Sequence, residues 1–362
     1  MANHRMRIGL VALLGIFLVM VTCGTVTAKQ AKLFKLDTCW MPSTESFVPW
    51  YAKKRGWDKA EGLDLQMHFF DSGPAQMEAL PSRSWVLGST GGVGHIMGAL
   101  RYETPLIGIS YMDTRTEAVL VRSDSPVMQV KGWNPEYPDV YGSPELIKGK
   151  TFLATMVTSS QYAMDKYLEV FGLTEKDVTI KNMDNPQALA AFESGVGDFV
   201  ALWAPMEYIG MQKGWQISGD LHSCNAPLMT TLIGEKRFCE EHPEIVAKFL
   251  RMYLRVQHHM RRHPDAMVPE LIAFYQEWAG YEMSEDFARK EIKMRPMFTY
   301  EEQLAALAGS PFNSKADKWQ ADLANFFAAV GKFTPQEREK ALKVPYITDK
   351  YLKMVKLPIP EE

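Results

Sequence analysis

The sequence has little excess charge of either sign, and it lacks the common catalytic signatures. Its 362 residues carry 40 lysine and arginine side chains against 43 aspartate and glutamate side chains, a formal net charge of −3. Nucleic-acid-binding domains normally carry a basic patch or stripe, so this balance argues against a nucleic-acid partner. Serines are plentiful, but the G-x-S-x-G elbow of the α/β-hydrolases does not occur. We therefore predict a protein that performs no chemistry.

Cofactor and metal motifs are also missing. The glycine-rich segment GGVGHIMG (residues 91–98) lacks the G-x-G-x-x-G spacing of a dinucleotide-binding loop. The histidines of QHHMRRH (residues 257–263) include an i, i+4 pair, but Arg261 and Arg262 lie between them and no carboxylate motif accompanies them. A solvated helix face is the better interpretation of this segment. We predict neither a cofactor nor a metal site.

The first 28 residues have the pattern of a secretory signal. Arg5 and Arg7 precede an apolar run over residues 8–21, and small residues follow up to Ala28. The run is shorter than the roughly 20 residues that span a bilayer, so we predict a signal cleaved after Ala28 and a periplasmic protein. A lipoprotein anchored at Cys23 is the less favoured alternative.

Cysteine is scarce, with four residues in the chain. Removal of the signal would leave Cys39, Cys224 and Cys239. An oxidising compartment would permit a disulfide between Cys224 and Cys239, but an odd number of cysteines is poor evidence for a disulfide framework. Three unpaired thiols are an equally good interpretation.

Six segments of the chain pass from a strand pattern through a short polar loop into a helix pattern. In the last segment but one, Asn185 is the expected N-cap and Pro186 the first helical residue. Alternation of this kind predicts parallel sheets that are covered by helices. The segments are residues 32–47, 61–80, 85–100, 150–173, 178–195 and 198–214.

The loops of these segments predict a binding site. In open α/β sheets the loops that follow the strands gather at one edge, where ligands bind. Each loop here also begins a helix, whose first turn has free backbone N–H groups and a partial positive charge. We therefore expect a small ligand at this edge.

Three longer segments give the chain a family resemblance. They are WYAKKRGWDKAEGLDLQMHFFDSG (residues 50–73), PELIKGKTFLATMVTSSQYAMDKYLEVFGLTEKDVTI (residues 144–180) and ALAAFESGVGDFVALWAPMEY (residues 188–208). Together they resemble the periplasmic substrate-binding proteins of ABC importers of the nitrate, sulfonate and taurine group. The match extends over about residues 33 to 260 in the same order.

The resemblance implies an α/β fold of two lobes, each a mostly parallel sheet flanked by helices, with a two-stranded hinge between them. The outgoing and returning crossings are expected at residues 116–125 and 225–238. The expected organisation is a signal peptide (1–28), lobe 1 in two parts (29–121 and 226–310), lobe 2 (122–225) and a C-terminal helical tail (311–362).

The resemblance also implies a function and partners. A small-molecule solute would bind between the lobes, and a monomeric protein would deliver it to an ABC permease in the inner membrane. A sensory receptor module is the first alternative. A thiamine-pyrimidine-forming enzyme of the same fold group is the second, although the cysteine-rich signature of that enzyme is absent here.

The candidate ligand-binding residues come from the six loops and from the resemblance. Helix capping by the serines and core packing by either tryptophan are the alternative roles. In the first lobe the candidates are Trp40, Ser43, Ser72, Gly73, Ser89, Thr90 and Asp113. In the second lobe they are Thr158, Ser159, Ser160, Gln161, Asn182 and Trp203.

The charges of the loops bear on the solute class. Helix starts with serine and threonine hydroxyls suit a sulfonate or carboxylate group. The loops hold only two basic residues, Arg115 and Lys181, against the acids Asp71, Asp113, Asp184 and Glu207. An amine on the solute would give one of these acids a partner, with Asp113 preferred. We therefore expect a small organic anion or zwitterion, with taurine-like compounds ahead of nitrate; acids that cap helices or face solvent are the alternative.

Overall fold

The computed structural model describes residues 32–361. The predicted signal peptide, its cleavage after Ala28 and the alternative anchor Cys23 lie outside these residues. Within the described range no helix is long and apolar enough to cross a membrane. The strands of this range are β1 (Phe34–Trp40), β2 (Leu63–Phe69), β3 (Leu87–Gly91), β4 (Leu106–Met112), β5 (Glu117–Val121), β6 (Thr151–Ala154), β7 (Thr179–Asn182), β8 (Phe199–Trp203), β9 (Gln216–Asp220) and β10 (Met229–Gly234).

The helices of the described range surround the strands. They are α1 (Thr44–Lys54), α2 (Trp57–Ala60), α3 (Gly73–Ala79), α4 (Gly92–Tyr102), α5 (Pro144–Ile147), α6 (Ser159–Val170), α7 (Asn185–Glu193), α8 (Met206–Gln212), α9 (Lys236–Glu241), α10 (Pro243–Arg262), α11 (Pro264–Phe274), α12 (Glu285–Met294), α13 (Tyr300–Leu307), α14 (Lys315–Ala329), α15 (Pro335–Lys343) and α16 (Lys350–Lys353).

The strands form two five-stranded sheets with the same plan. The first sheet has the order β2-β1-β3-β10-β4 and the second has the order β7-β6-β8-β5-β9. In the first sheet β1 pairs in parallel with β2 and β3, whereas β10 is antiparallel to both of its neighbours. In the second sheet β6 pairs in parallel with β7 and β8, and β5 is the antiparallel strand. The predicted fold class of two mostly parallel sheets flanked by helices is confirmed.

The crossings between the two sheets are shorter than predicted, and each begins a few residues earlier in the chain than predicted. Strand β5 belongs entirely to the second sheet, so the outgoing crossing is residues 113–116 instead of 116–125. All five residues of β5 are buried, because the strand lies between β8 and β9 in the interior of the sheet. The predicted lobe boundary at residue 121 therefore falls at the far end of a second-lobe strand. The returning crossing is residues 221–228, before β10.

Local sequence explains where the helices begin. Ser72 caps α3, since its Oγ accepts a hydrogen bond from Ala75 N at 3.4 Å, and Thr158 Oγ1 does the same for Ser160 N at 3.2 Å in α6. A side-chain acceptor of this kind satisfies one of the free N–H groups of the first helical turn. The prediction for α7 is wrong by one residue, because Asp184 occupies the N-cap position and Asn185 is the first helical residue.

The three cysteines of the described range are free thiols, and all are buried. Cys224 packs in the hydrophobic core of the second lobe with Tyr167 and Phe171. Cys239 packs in the core of the first lobe with Phe34 and Phe238. The optional disulfide between Cys224 and Cys239 is therefore absent from this structure, because the two side chains belong to different cores.

The C-terminal segment, residues 311–361, packs against both lobes. Ile347 makes a parallel bridge with Leu106 of β4, at the edge of the first sheet. Phe326 of α14 contacts Tyr162 of α6 in the second lobe, with ring centroids 4.9 Å apart. The segment expected as a helical tail thus joins the first sheet to a helix of the second lobe.

Candidate functional site

A cavity that is partly open to solvent lies where the two lobes face each other. Its wall is built from chain segments that follow strands and begin helices in both lobes, as the alternating pattern predicts. Seven of the thirteen predicted residues contribute to this wall. They are Ser43, Gly73, Thr90, Asp113, Thr158, Ser159 and Trp203.

Trp40 does not reach the cavity. The residue is fully buried, its ring stacks on Tyr253 at a centroid distance of 6.2 Å, and its Nε1 donates a hydrogen bond to Thr38 Oγ1 at 2.7 Å. The side chain at the end of β1 therefore points into the core of the first lobe. The next residue, Met41, lines the cavity in its place.

Two further predicted residues of the first lobe lie behind the wall. Ser72 is the N-cap of α3, and its hydroxyl is used by the backbone of that helix. Ser89 precedes Thr90 in β3 and is fully buried. Successive strand residues point to opposite faces of a sheet, so Thr90 faces the cavity while Ser89 points away from it.

Three predicted residues of the second lobe form internal hydrogen bonds instead of lining the cavity. The Ser160 hydroxyl donates to the Ala201 carbonyl at 2.7 Å. The side-chain oxygen of Gln161 accepts from the Val157 N–H at 2.7 Å, and Asn182 Oδ1 accepts from the Met156 N–H at 3.0 Å. The first bond ties the start of α6 to strand β8, and the other two hold the loop that precedes α6.

Four polar residues that the sequence did not reveal also line the cavity, namely Glu45, Glu117, Thr230 and Arg295. Glu45 follows the predicted Ser43 by two positions, so its place in the first turn of α1 was recognisable from the sequence. Glu117 and Thr230 stand in the strands that follow the two crossings. Arg295 comes directly after α12, far along the chain from the predicted loops, and no local pattern marks it.

Arg295 holds Asp113 in a buried ion pair. Its Nε donates to Asp113 Oδ1 at 3.1 Å and its Nη2 to Asp113 Oδ2 at 3.2 Å. Asp113 also accepts hydrogen bonds from Thr116 and, at 3.4 Å, from Thr230. Burial alone would disfavour the charged guanidinium, but the carboxylates of Asp113 and Glu291 raise the pKa of Arg295 well above its ordinary value. The pair fixes the start of the outgoing crossing.

Glu291 of α12 extends this network to both lobes. It accepts hydrogen bonds from Arg295, from Thr44 at the start of α1, and from Tyr275 at 3.1 Å. Its other oxygen accepts a hydrogen bond from Tyr208 of α8, a helix of the second lobe. All these groups are buried, so Glu291 links the two lobes beside the cavity.

Glu45 is a buried carboxyl group in the wall of the cavity. One oxygen, Oε2, accepts hydrogen bonds from Ser43 and, at 2.7 Å, from Tyr111. Burial raises the pKa of Glu45 to about 7, although the Tyr111 hydrogen bond and the Arg295 charge act in the opposite direction.

Glu117 is the corresponding acid of the second lobe. It pairs across the sheet with Trp203, which also lines the cavity. Burial, and secondly the Asp113 carboxylate, raise the pKa of Glu117 well above its ordinary value.

Helix starts from both lobes approach the cavity closely. Gly91, Val93 and Gly94 at the start of α4 line it. A Cβ atom on Gly94 would lie 2.4 Å from Thr90 Oγ1 and 3.2 Å from Gly73 Cα, so only glycine permits α3 and α4 to meet here. Together with the starts of α1 and α6, this arrangement directs free N–H groups and partial positive charge into the cavity.

The matched family agrees with this architecture. Residues 44–267, more than half of the chain, match the family described as NMT1/THI5 like. The chain belongs to the NMT1/THI5-like family. Among curated relatives, the taurine-binding periplasmic protein of Escherichia coli is 25% identical over 282 residues, which cover 76% of this chain and 80% of that protein.

Solved structures show the same fold as this NMT1/THI5-like chain. The alkanesulfonate-binding protein SsuA of Xanthomonas axonopodis pv. citri, bound to MOPS, aligns with a TM-score of 0.67 at 17% identity, covering 88% of this chain and 99% of that one. The periplasmic nitrate-binding protein NrtA of Synechocystis aligns with a TM-score of 0.65 at 9% identity, covering 89% of this chain and 88% of that one. At these identities the likeness concerns the fold.

Proposed function

We propose that this protein is an extracytoplasmic solute-binding protein that delivers a small organic solute to an ABC importer. The observation that carries the proposal is the cavity between the two lobes, whose wall combines helix starts and charged side chains from both sheets. The taurine-binding relative and the alkanesulfonate-binding structural neighbour support it. The protein would work in the periplasm as a monomer, with a permease of the inner membrane as its partner.

The proposed cycle is one of closure around the solute. The solute binds to one lobe of an open form, and rotation about residues 113–116 and 221–228 then encloses it. Tyr208 and Glu291 are hydrogen-bonded across the lobes, so closure would form this contact and present a combined surface of both lobes to the permease.

The proposed solute is a small zwitterion of the taurine type. The starts of α1, α4 and α6 offer backbone N–H groups to an anionic head. The wall also contains Glu45, Asp113 and Glu117, and when these carboxyl groups are ionised they repel a ligand with negative charge alone. A nitrate-like inorganic anion therefore fits this cavity less well than a solute that also carries a positive group.

Small-angle X-ray scattering combined with a thermal-shift screen tests the proposal. The screen contains small sulfonates, carboxylates, amines and inorganic anions. We expect at least one organic compound to raise the melting temperature and also to reduce the radius of gyration, as closure requires. Thermal stabilisation without any change in the radius of gyration would contradict the proposed closure.

A further inference from the structure

Two carboxyl oxygens in the wall of the cavity have no hydrogen-bond partner among the described residues. They are Oε1 of Glu45 and Oε2 of Glu117. Both side chains line the cavity, and the exposed fractions of the two residues are only 1% and 3%. Buried polar side-chain atoms in folded proteins nearly always have a partner, so two unpartnered oxygens in one cavity call for an explanation.

The third acid of the described wall differs from this pair, because both of its oxygens are already satisfied. Asp113 accepts hydrogen bonds at both oxygens from Arg295, with further bonds from Thr116 and Thr230. Among the described residues that line the cavity, Arg295 is the one basic residue, and it is committed to Asp113 and Glu291. The one basic residue of the described wall is therefore already paired with other carboxylates, and the two free oxygens have no hydrogen-bond partner among the described residues.

The two acids also come from different lobes. Glu45 stands in the first turn of α1, beside the first sheet. Glu117 is the first residue of β5, in the second sheet. A ligand group that satisfies both acids would be held from both sides of the cavity, so its recognition would be coupled to closure of the lobes.

Resting on the solute-binding function proposed above, we infer that Glu45 and Glu117 form a cation subsite and that the solute carries a protonated nitrogen with N–H donors. A primary amine or a guanidinium group has this chemistry. Each N–H bond to a carboxylate is charge-assisted, which makes it stronger than a bond between neutral groups. The inference places the positive group of the solute at Glu45 and Glu117 and not at Asp113.

Matched pairs of compounds test the inference by calorimetry. The pairs are taurine with isethionate, β-alanine with 3-hydroxypropionate, and 1,4-diaminobutane with 1,4-butanediol; in each pair hydroxyl replaces amine. We titrate at about pH 8, above the pKa of about 7 that burial gives Glu45. In every pair that binds, the amine should bind about tenfold or more tightly than its hydroxyl counterpart, since the hydroxyl lacks the charge.

Isosteric variants assign the selectivity to the two acids. Glu45→Gln and Glu117→Gln remove a carboxyl group that can ionise beside the bound amine and keep the size of the side chain, so each should lose about tenfold in affinity for the amine and little for its hydroxyl counterpart. Glu207→Gln is the matched control, because Glu207 is also fully buried with unpartnered oxygens among the described residues but does not line the cavity. This control should keep the preference for the amine.

The outcomes separate this inference from the proposed function. Equal binding of a hydroxyl compound and its amine would overturn the cation subsite and leave solute binding in place. An unchanged preference for amines in both Glu45→Gln and Glu117→Gln would do the same. Failure of all six compounds to bind would overturn the inference, while the proposed function would still be judged by the broader screen and by scattering.

Discussion

Arg295 and Asp113 are joined by two parallel hydrogen bonds inside the protein, Nε to Oδ1 at 3.1 Å and Nη2 to Oδ2 at 3.2 Å. The exposed fractions of the two side chains are 1% and 7%. One partner follows α12 and the other begins the crossing to the second lobe. The pair therefore connects the wall of the cavity to the segment about which the lobes are proposed to move.

Loss of Arg295 should destabilise the protein strongly. Arg295→Met leaves Asp113 and Glu291 as buried carboxylates without their cation, and breaking a buried pair in this way costs about 3–5 kcal/mol. Lys343→Met is the control, because Lys343 and Glu339 form an exposed pair with side-chain exposures of 71% and 62%. Urea unfolding should show a loss below about 1 kcal/mol for the control. Equal losses in the two variants would contradict the structural role of Arg295.

Local patterns predicted the sheets and the helix starts well. Strands such as β1 and β2 alternate in polarity, and capping residues such as Ser72 and Thr158 stand next to the helices they begin. These features depend on residues within a few positions of one another. The division of the strands between two lobes, in contrast, was supplied by the family resemblance.

The parts of the site that escaped prediction depend on distant residues. Arg295 donates a hydrogen bond to Asp113, although the two residues are separated by 182 positions in the sequence. No short segment of the sequence therefore contains both residues. Trp40 was misplaced because its partner in the core, Tyr253, lies on α10. The outgoing crossing was misplaced because β5 is an apolar run whose sheet is decided by pairing with β8 and β9.

The stability of the ligand-free protein should depend on pH through Glu45. The pKa of this carboxyl is about 7 in the folded protein against an ordinary 4.5, so the folded state binds the proton more tightly than the unfolded chain. Its contribution to stability is present below about pH 4.5 and is lost as the pH rises through 7, in total about 3 kcal/mol. Tyr111, Arg295 and Asp113 are the titratable groups that act on Glu45.

Comparison with a neutral variant isolates this effect. The free energy of unfolding of Glu45→Gln minus that of the wild type should increase between pH 4.5 and 7 and then remain constant. Glu136→Gln, at an exposed position, should show no such increase. A difference between Glu45→Gln and the wild type that does not vary with pH would refute the assignment. Denaturant titrations at a series of pH values provide the measurement.

The cysteines should resist modification in the folded state. Cys39, Cys224 and Cys239 are free and buried, and burial raises the pKa of the Cys224 thiol to about 12. We expect Ellman's reagent to react with them only after denaturation, and a reducing agent to leave the melting temperature unchanged. A lower melting temperature in dithiothreitol would instead reveal a disulfide.

The mature N-terminus should be Lys29. Residues 1–28 have the composition of a cleaved signal, so intact-mass analysis of exported protein should give a chain without them. A diacylglycerol-modified Cys23 at the terminus would show a lipoprotein, and would place the protein at the membrane surface.

The most direct test of solute binding between the lobes is a calorimetric titration of the wild type and of Trp203→Ala with the compound that the thermal-shift screen identifies. Trp203 lines the cavity from the end of β8. Loss of its ring should cost about 1–3 kcal/mol, a weakening of about tenfold to a hundredfold, without unfolding the protein. Solute binding between the lobes predicts one solute per wild-type chain and this weakening in the variant. An identical dissociation constant for the two proteins would contradict it.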